Sequence, residues 1–168
     1  MTTAVVIGVG NEYRRDDGVG PALVAALEDR WLPDVKLLVS DGEPARLIDD
    51  WAGVALAIVV DAVLCEPSDP GQFYRTEVPV HGRFEVHHHD DPLVESHPHT
   101  AGSHSLGIPD ALRLAQALDR LPCRLVVYAV EAADVSFGTE LSPAVAAGLH
   151  RLEQAVLADL TAASTQRC

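Results

Sequence analysis

Cysteine is scarce in this chain: of 168 residues only Cys65, Cys123 and Cys168 are cysteines, isolated from one another and odd in number. That spacing suggests neither a disulfide framework nor a zinc knuckle, and it fits a reducing cytoplasm. Basic residues are few as well. Twelve Lys and Arg against 25 Asp and Glu leave a formal net charge of -13. Phosphate backbones and anionic bilayers need a basic surface, so neither nucleic acid nor membrane is expected as a partner. No apolar run approaches the ~20 residues of a membrane-spanning helix. The opening residues show no secretory pattern, so a cytoplasmic location is expected. Two signatures of common chemistry are also missing. The phosphate loop would require Lys then Ser or Thr after its second glycine, and the nucleophile elbow would require Gly-x-Ser-x-Gly.

What remains is the composition of an ordinary globular domain, 48% hydrophobic and 22% charged. One domain over residues 1–168 is expected, with a full core. Short apolar runs alternate with amphipathic ones. Strands are expected at Ala4-Val5-Val6-Ile7, Val35 to Ser40, Ala55 to Val60, Gln72 to Val78 (an edge) and Leu125 to Val130. Helices are expected at Pro21 to Arg30, Glu43 to Trp51, Ser103 to Arg120 and Ser142 to about Ala162. This order implies a three-layer α/β/α sandwich on a mostly parallel or mixed sheet of about five strands. Residues 79–102 form an irregular His-rich loop, and 163–168 a loose tail.

Gly8-Val9-Gly10-Asn11-Glu12-Tyr13-Arg14-Arg15-Asp16-Asp17-Gly18-Val19-Gly20 reads as the turn from the first strand into the first helix. Gly8 and Gly10 allow a sharp bend through positive φ. A dinucleotide site would need a third glycine where Tyr13 stands, and phosphate would meet two carboxylates at the helix start. The loop suits a cation instead. One of Asp16 and Asp17 is expected to cap the helix; the pair together exceeds what capping requires.

In parallel α/β folds, ligands collect beyond the carboxyl ends of the strands. Asp17 follows the first strand and Asp61 the third. His104 begins a helix that runs back from that same edge. The three converge as an O,O,N cation site.

At these residues the chain resembles the hydrogenase maturation endopeptidases. The match runs through Gly8-x-Gly10-Asn11, Asp16-Asp17-Gly18-x-Gly20, Asp41-Gly42, Val60-Asp61-Ala62 and Ser103-His104-x-Leu106-Gly107. The resemblance implies that Asp17, Asp61 and His104 contact metal, and that Asp41 takes part in substrate recognition or cleavage. It implies a peptidase that senses nickel already carried by a nickel–iron hydrogenase large-subunit precursor and removes its C-terminal extension. No resting metal of its own is implied. The chain departs from the family pattern after Asp41-Gly42, where Glu43-Pro44-Ala45 replaces a glycine followed by Thr or Ser. The main alternative is a non-proteolytic nickel-binding accessory or assembly protein.

Seven of the eight histidines lie between His81 and His104, including His87-His88-His89. Imidazole suits nickel, yet His87 to His99 show no clean ligand spacing, and a solvated polar loop is expected there. Cys65 is expected to be a small apolar filler. Trp31 and Trp51 are expected to cover the sheet rim or a helix face, and Glu131 to be a solvated loop carboxylate. Asn11 either takes left-handed geometry or holds the loop through its amide.

Overall fold

The computed structural model describes residues 3–80 and 107–164. In chain order these form β1 (Ala4–Val9), a 3-10 turn (Arg15–Gly18), α1 (Val19–Glu28), β2 (Val35–Ser40), α2 (Pro44–Trp51), β3 (Leu56–Val63), β4 (Phe73–Val78), α3 (Gly107–Ala117), β5 (Arg124–Glu131) and α4 (Pro143–Ser164). The sheet has five strands in the order β2-β1-β3-β5-β4. All neighbours are parallel except β4, which lies antiparallel on β5. The expected three-layer sandwich is therefore the observed one, on a mixed sheet.

Side-chain alternation along the strands divides the core in two. Val6, Ile58, Val60, Val126 and Tyr128 face α1 and α4. Val5, Ile7, Ala57, Val59 and Leu125 face α2 and α3. β3 is the middle strand and is buried along its whole length. Its run of β-branched and small apolar residues is what burial on both faces demands.

The glycines between β1 and α1 act in different ways. Gly10 has φ +133, as the sharp bend requires. Gly8 lies inside β1 instead and needs its missing side chain for close approach: a Cβ there would stand 2.3 Å from the Gly20 carbonyl oxygen. The start of α1 is thereby seated directly on the sheet.

Several boundaries differ from the sequence expectations. β3 runs on to Val63, so Asp61 lies within the strand rather than after it; its pairing with β5 continues through Asp61↔Ala129 to Val63↔Glu131. α4 reaches Ser164, so Ala163 is helical rather than part of a loose tail. Trp51 lies fully buried in the core between the sheet and α2 and α3 rather than at a rim, and Trp31 is 88% exposed rather than a cover. The His-rich loop, the helix start at Ser103 and residues 165–168 lie outside the described residues.

Candidate functional site

Parallel pairing brings the ends of β1, β2 and β3 to one edge. Val9 pairs with Ser40, and Gly8 with Val60, so Asp61 lies one residue past that rung and level with Val9. Asp61 is 3% exposed, and its place in the alternation puts it on the α2/α3 face of the sheet. The 3-10 turn that carries Asp17 packs against β3. Asp17 is 5% exposed, and its Oδ2 accepts the Asn11 N–H at 3.0 Å. Its backbone rests on Gly10, where a Cβ would come within 1.9 Å of the Asp17 carbonyl oxygen. Asn11 holds the loop through its amide: its Oδ1 accepts the Tyr13 N–H at 2.9 Å. Asn11 is not among the residues of positive φ, so left-handed tolerance is not its reason for being there.

Asp41 follows β2 at the same edge, on the other side of β1. It is exposed, and its Oδ1 accepts the Glu43 N–H at 3.2 Å. The Glu43-Pro44 departure has a local cause. Glu43 is the N-cap of α2, its carboxylate accepting from Ala45 N–H at 3.2 Å and Arg46 N–H at 2.9 Å, with Pro44 opening the helix. Proline is favoured at that first position because its missing N–H has no helical partner to lose. His104 lies outside the described residues, and among the described residues no three His, Cys, Asp or Glu side chains are grouped to hold a metal ion. Asp17 and Asp61 supply two buried carboxylates, hard oxygen donors that suit a divalent cation only if a further ligand completes the set.

Asp16 does something else. It was expected as one of two carboxylates at the start of α1, yet α1 begins at Val19 with Gly18 as its N-cap and no side-chain cap. Asp16 is fully buried and faces α4 instead. Its Oδ1 accepts Ser142 N–H at 2.7 Å; its Oδ2 accepts Ala133 N–H at 2.8 Å, Asp134 N–H at 3.0 Å and the Ser142 hydroxyl at 2.8 Å. One carboxylate thus satisfies the loop after β5 and the N-terminus of α4. A negative charge in that place also suits the helix dipole. Arg15, just before it, is held at φ 46, in the left-handed region that an L side chain rarely adopts. Backbone bonds on either side fix that conformation: Arg15 N–H to Gly138 O at 2.8 Å and Gly138 N–H to Tyr13 O at 3.0 Å.

Glu131 is the residue that sequence reasoning misjudged most. It ends β5 and is 1% exposed, not a solvated loop carboxylate. Its Oε2 accepts Asp69 N–H and its Oε1 the Tyr74 hydroxyl, each at 2.5 Å. Its backbone bonds Gly71 and Gln72, so the whole loop after β3 is pinned to it. Hydrogen bonding to Glu131 pushes the Tyr74 phenol up to about 12. Burial, then the nearby Glu131 charge, raises the Cys65 thiol as well, so Cys65 is a protonated neighbour of this cluster. No pattern in the sequence foretells these bonds of Asp16 and Glu131, because their partners lie far along the chain and several are backbone N–H groups.

Comparison with known proteins agrees with this architecture. A protein-family model described as hydrogenase maturation protease matches residues 21–159. The Escherichia coli (strain K12) hydrogenase 2 maturation protease is 27% identical over 158 residues, covering 93% of this chain and 89% of that protein. The solved structure of the hydrogenase maturating endopeptidase HybD from E. coli superposes with a TM-score of 0.77 at 28% identity, covering 94% of this chain and 91% of the other. The [NiFe] hydrogenase maturation protease HybD from Thermococcus kodakarensis gives a TM-score of 0.70 over 91% of this chain and 95% of that one; at 23% identity it speaks for the fold alone. With its α/β sheet and acidic carboxyl edge, and a family model matched over most of its length, this chain belongs to the hydrogenase maturation proteases.

Proposed function

We propose that this peptidase removes the C-terminal extension of a nickel–iron hydrogenase large-subunit precursor, and that it does so only once nickel is in place. The observation that carries the reading is the pair of buried carboxylates at the carboxyl edge of the sheet, Asp17 in the turn between β1 and α1 and Asp61 near the end of the neighbouring β3. Two buried acids at one edge supply negative oxygen donors that a bound cation would neutralise. With His104 as the third ligand, the enzyme grips a metal that the precursor itself partly holds. The nickel therefore belongs to the substrate, and it supplies Lewis acidity at the scissile carbonyl. Asp41, exposed at the end of the neighbouring strand, stands where it would meet the arriving peptide. The acidic composition fits a protein that works in the cytoplasm on another protein.

The test is the electrophoretic mobility of the purified precursor, with and without nickel, after incubation with the enzyme. The nickel-loaded form should be shortened and the nickel-free form left intact. Asp17→Asn and His104→Ala should each abolish processing while the melting temperature stays close to wild type. Equal cleavage of both precursor forms removes nickel sensing from the reading. Nickel binding with no cleavage of any precursor favours the accessory-protein alternative.

A further inference from the structure

A single exposed aromatic is ordinary, but two carried on loops bonded to each other make a contiguous apolar surface that marks a binding site. Tyr13 is 62% exposed and Phe137 is 88% exposed. They lie 124 positions apart in the chain, on the loop after β1 and the loop after β5, yet the two loops are bonded to each other. Gly138, next to Phe137, donates to the Tyr13 carbonyl at 3.0 Å, and its own carbonyl accepts from Arg15 at 2.8 Å. Arg14 Nε reaches Val135 O at 3.2 Å. Asp16 then fixes both loops from beneath, and Gly138 sits at φ +153 against the Arg15 side chain, where a Cβ would come within 3.1 Å of the guanidinium. The platform is rigid before any partner arrives, which lowers the entropy lost on binding.

We propose that Tyr13 and Phe137 form a docking platform that anchors the folded body of the precursor beside the cleavage site. This deepens the reading above and rests on it. The platform is continuous with the candidate site, because one loop carries both Tyr13 and, four residues on, Asp17. Charge narrows the occupant further. Arg14 bonds Val135 O and Arg15 pairs with Asp134, which offsets part of the positive charge, while Glu12 and Glu140 are exposed on the same two loops. An aromatic centre with an acidic rim, on a chain of net charge -13, fits an apolar pocket bordered by Lys and Arg on the precursor. Rigid aromatic anchors with a charged surround are the usual composition of binding hot spots.

The experiment measures the affinity of immobilised nickel-loaded precursor for the full-length enzyme, together with each variant's melting temperature. Trp31→Ser serves as the control, since Trp31 is equally exposed but lies at the opposite, amino end of the sheet. Tyr13→Ser with Phe137→Ser should weaken binding at least about tenfold without moving the melting temperature, and Trp31→Ser should leave affinity unchanged. Raising the salt concentration should weaken wild-type binding further, because the rim is charged. Unchanged affinity in the double variant overturns the platform, while continued cleavage by wild type leaves the proposed function standing. An equal loss in Trp31→Ser also overturns it, since any exposed aromatic would then serve. A wild-type dimer that the double variant abolishes assigns the surface to a second copy of this chain and overturns the precursor as occupant. Wild type that neither binds nor cleaves the precursor removes the docking platform and the proposed function together.

Discussion

Asp16 and Asp17 are adjacent and almost equally buried, yet they reach in different directions. Asp16 bonds residues 117 to 126 positions away, closing the loop after β5 onto the start of α4. Glu131 does the same for the loop after β3, with Asp69 lying 62 positions away. The bond seen to Asp17 is local, from Asn11 six positions earlier, within the same turn. Asp17 shares the carboxyl edge of the parallel strands with Asp61. The sheet edge thus holds buried acids of two placements: Asp16 and Glu131 bond distant loops, while Asp17 lies in the turn after β1 and Asp61 near the end of β3. Burial alone separates nothing here. The long reach of the Asp16 and Glu131 bonds is what marks those two as clamps.

If that division is right, the clamps should cost stability when altered, and the edge acids should cost function. Asp16→Asn should have the largest effect on folding. The amide NH2 would replace one carboxylate oxygen and face the donors that oxygen now accepts, leaving at least one buried N–H unsatisfied. A loss of about 3 kcal/mol or more is expected, read by urea denaturation. A loss below roughly 1 kcal/mol would mean that Asp16 is no clamp and would dissolve the comparison.

A smaller effect is expected at the second clamp. Tyr74→Phe removes one donor from Glu131 and should cost about 1 kcal/mol near neutral pH. Its pH dependence sharpens the point. The bond to Glu131 raises the Tyr74 phenol to about 12 in the folded state, above the ~10 of the unfolded chain. The stabilisation is then fully present below pH ~10 and lost as pH rises through about 12. Wild type and Tyr74→Phe should therefore converge in stability at the alkaline end. An ultraviolet difference titration between the two should show the missing phenolate appearing near pH 12. A phenol that ionises near its ordinary value would show that the clamp does not form.

The elements that could be read in the sequence are those fixed by local pattern. β3 announces itself as an apolar run, α2 by Pro44 at its start, and the edge strand β4 by its loose alternation. The placement of Asp17, Asp41 and Asp61 at the carboxyl edge was legible because each stands at or near a strand end. What could not be read depends on distant backbone. Nothing in the composition of residues 132–142 says that their N–H groups wait for Asp16, and nothing near Asp69 says that it caps Glu131. The end of β3 was misjudged for a related reason. Asp61 looks like a stop signal, but pairing with β5 carries the strand past it. The exposure of Trp31 has no explanation in the structure.

The central claim is that Asp61 belongs to the acids that serve the substrate's metal and not to those that hold the fold. Calorimetric titration of divalent nickel into the full-length protein and into Asp61→Asn tests it most directly, with a melting curve for each. Wild type should bind at one weak site, and Asp61→Asn should lose that binding while its stability changes by less than ~1 kcal/mol. Equal nickel affinity in the two proteins, or a loss of stability in Asp61→Asn as large as that of Asp16→Asn, would contradict it.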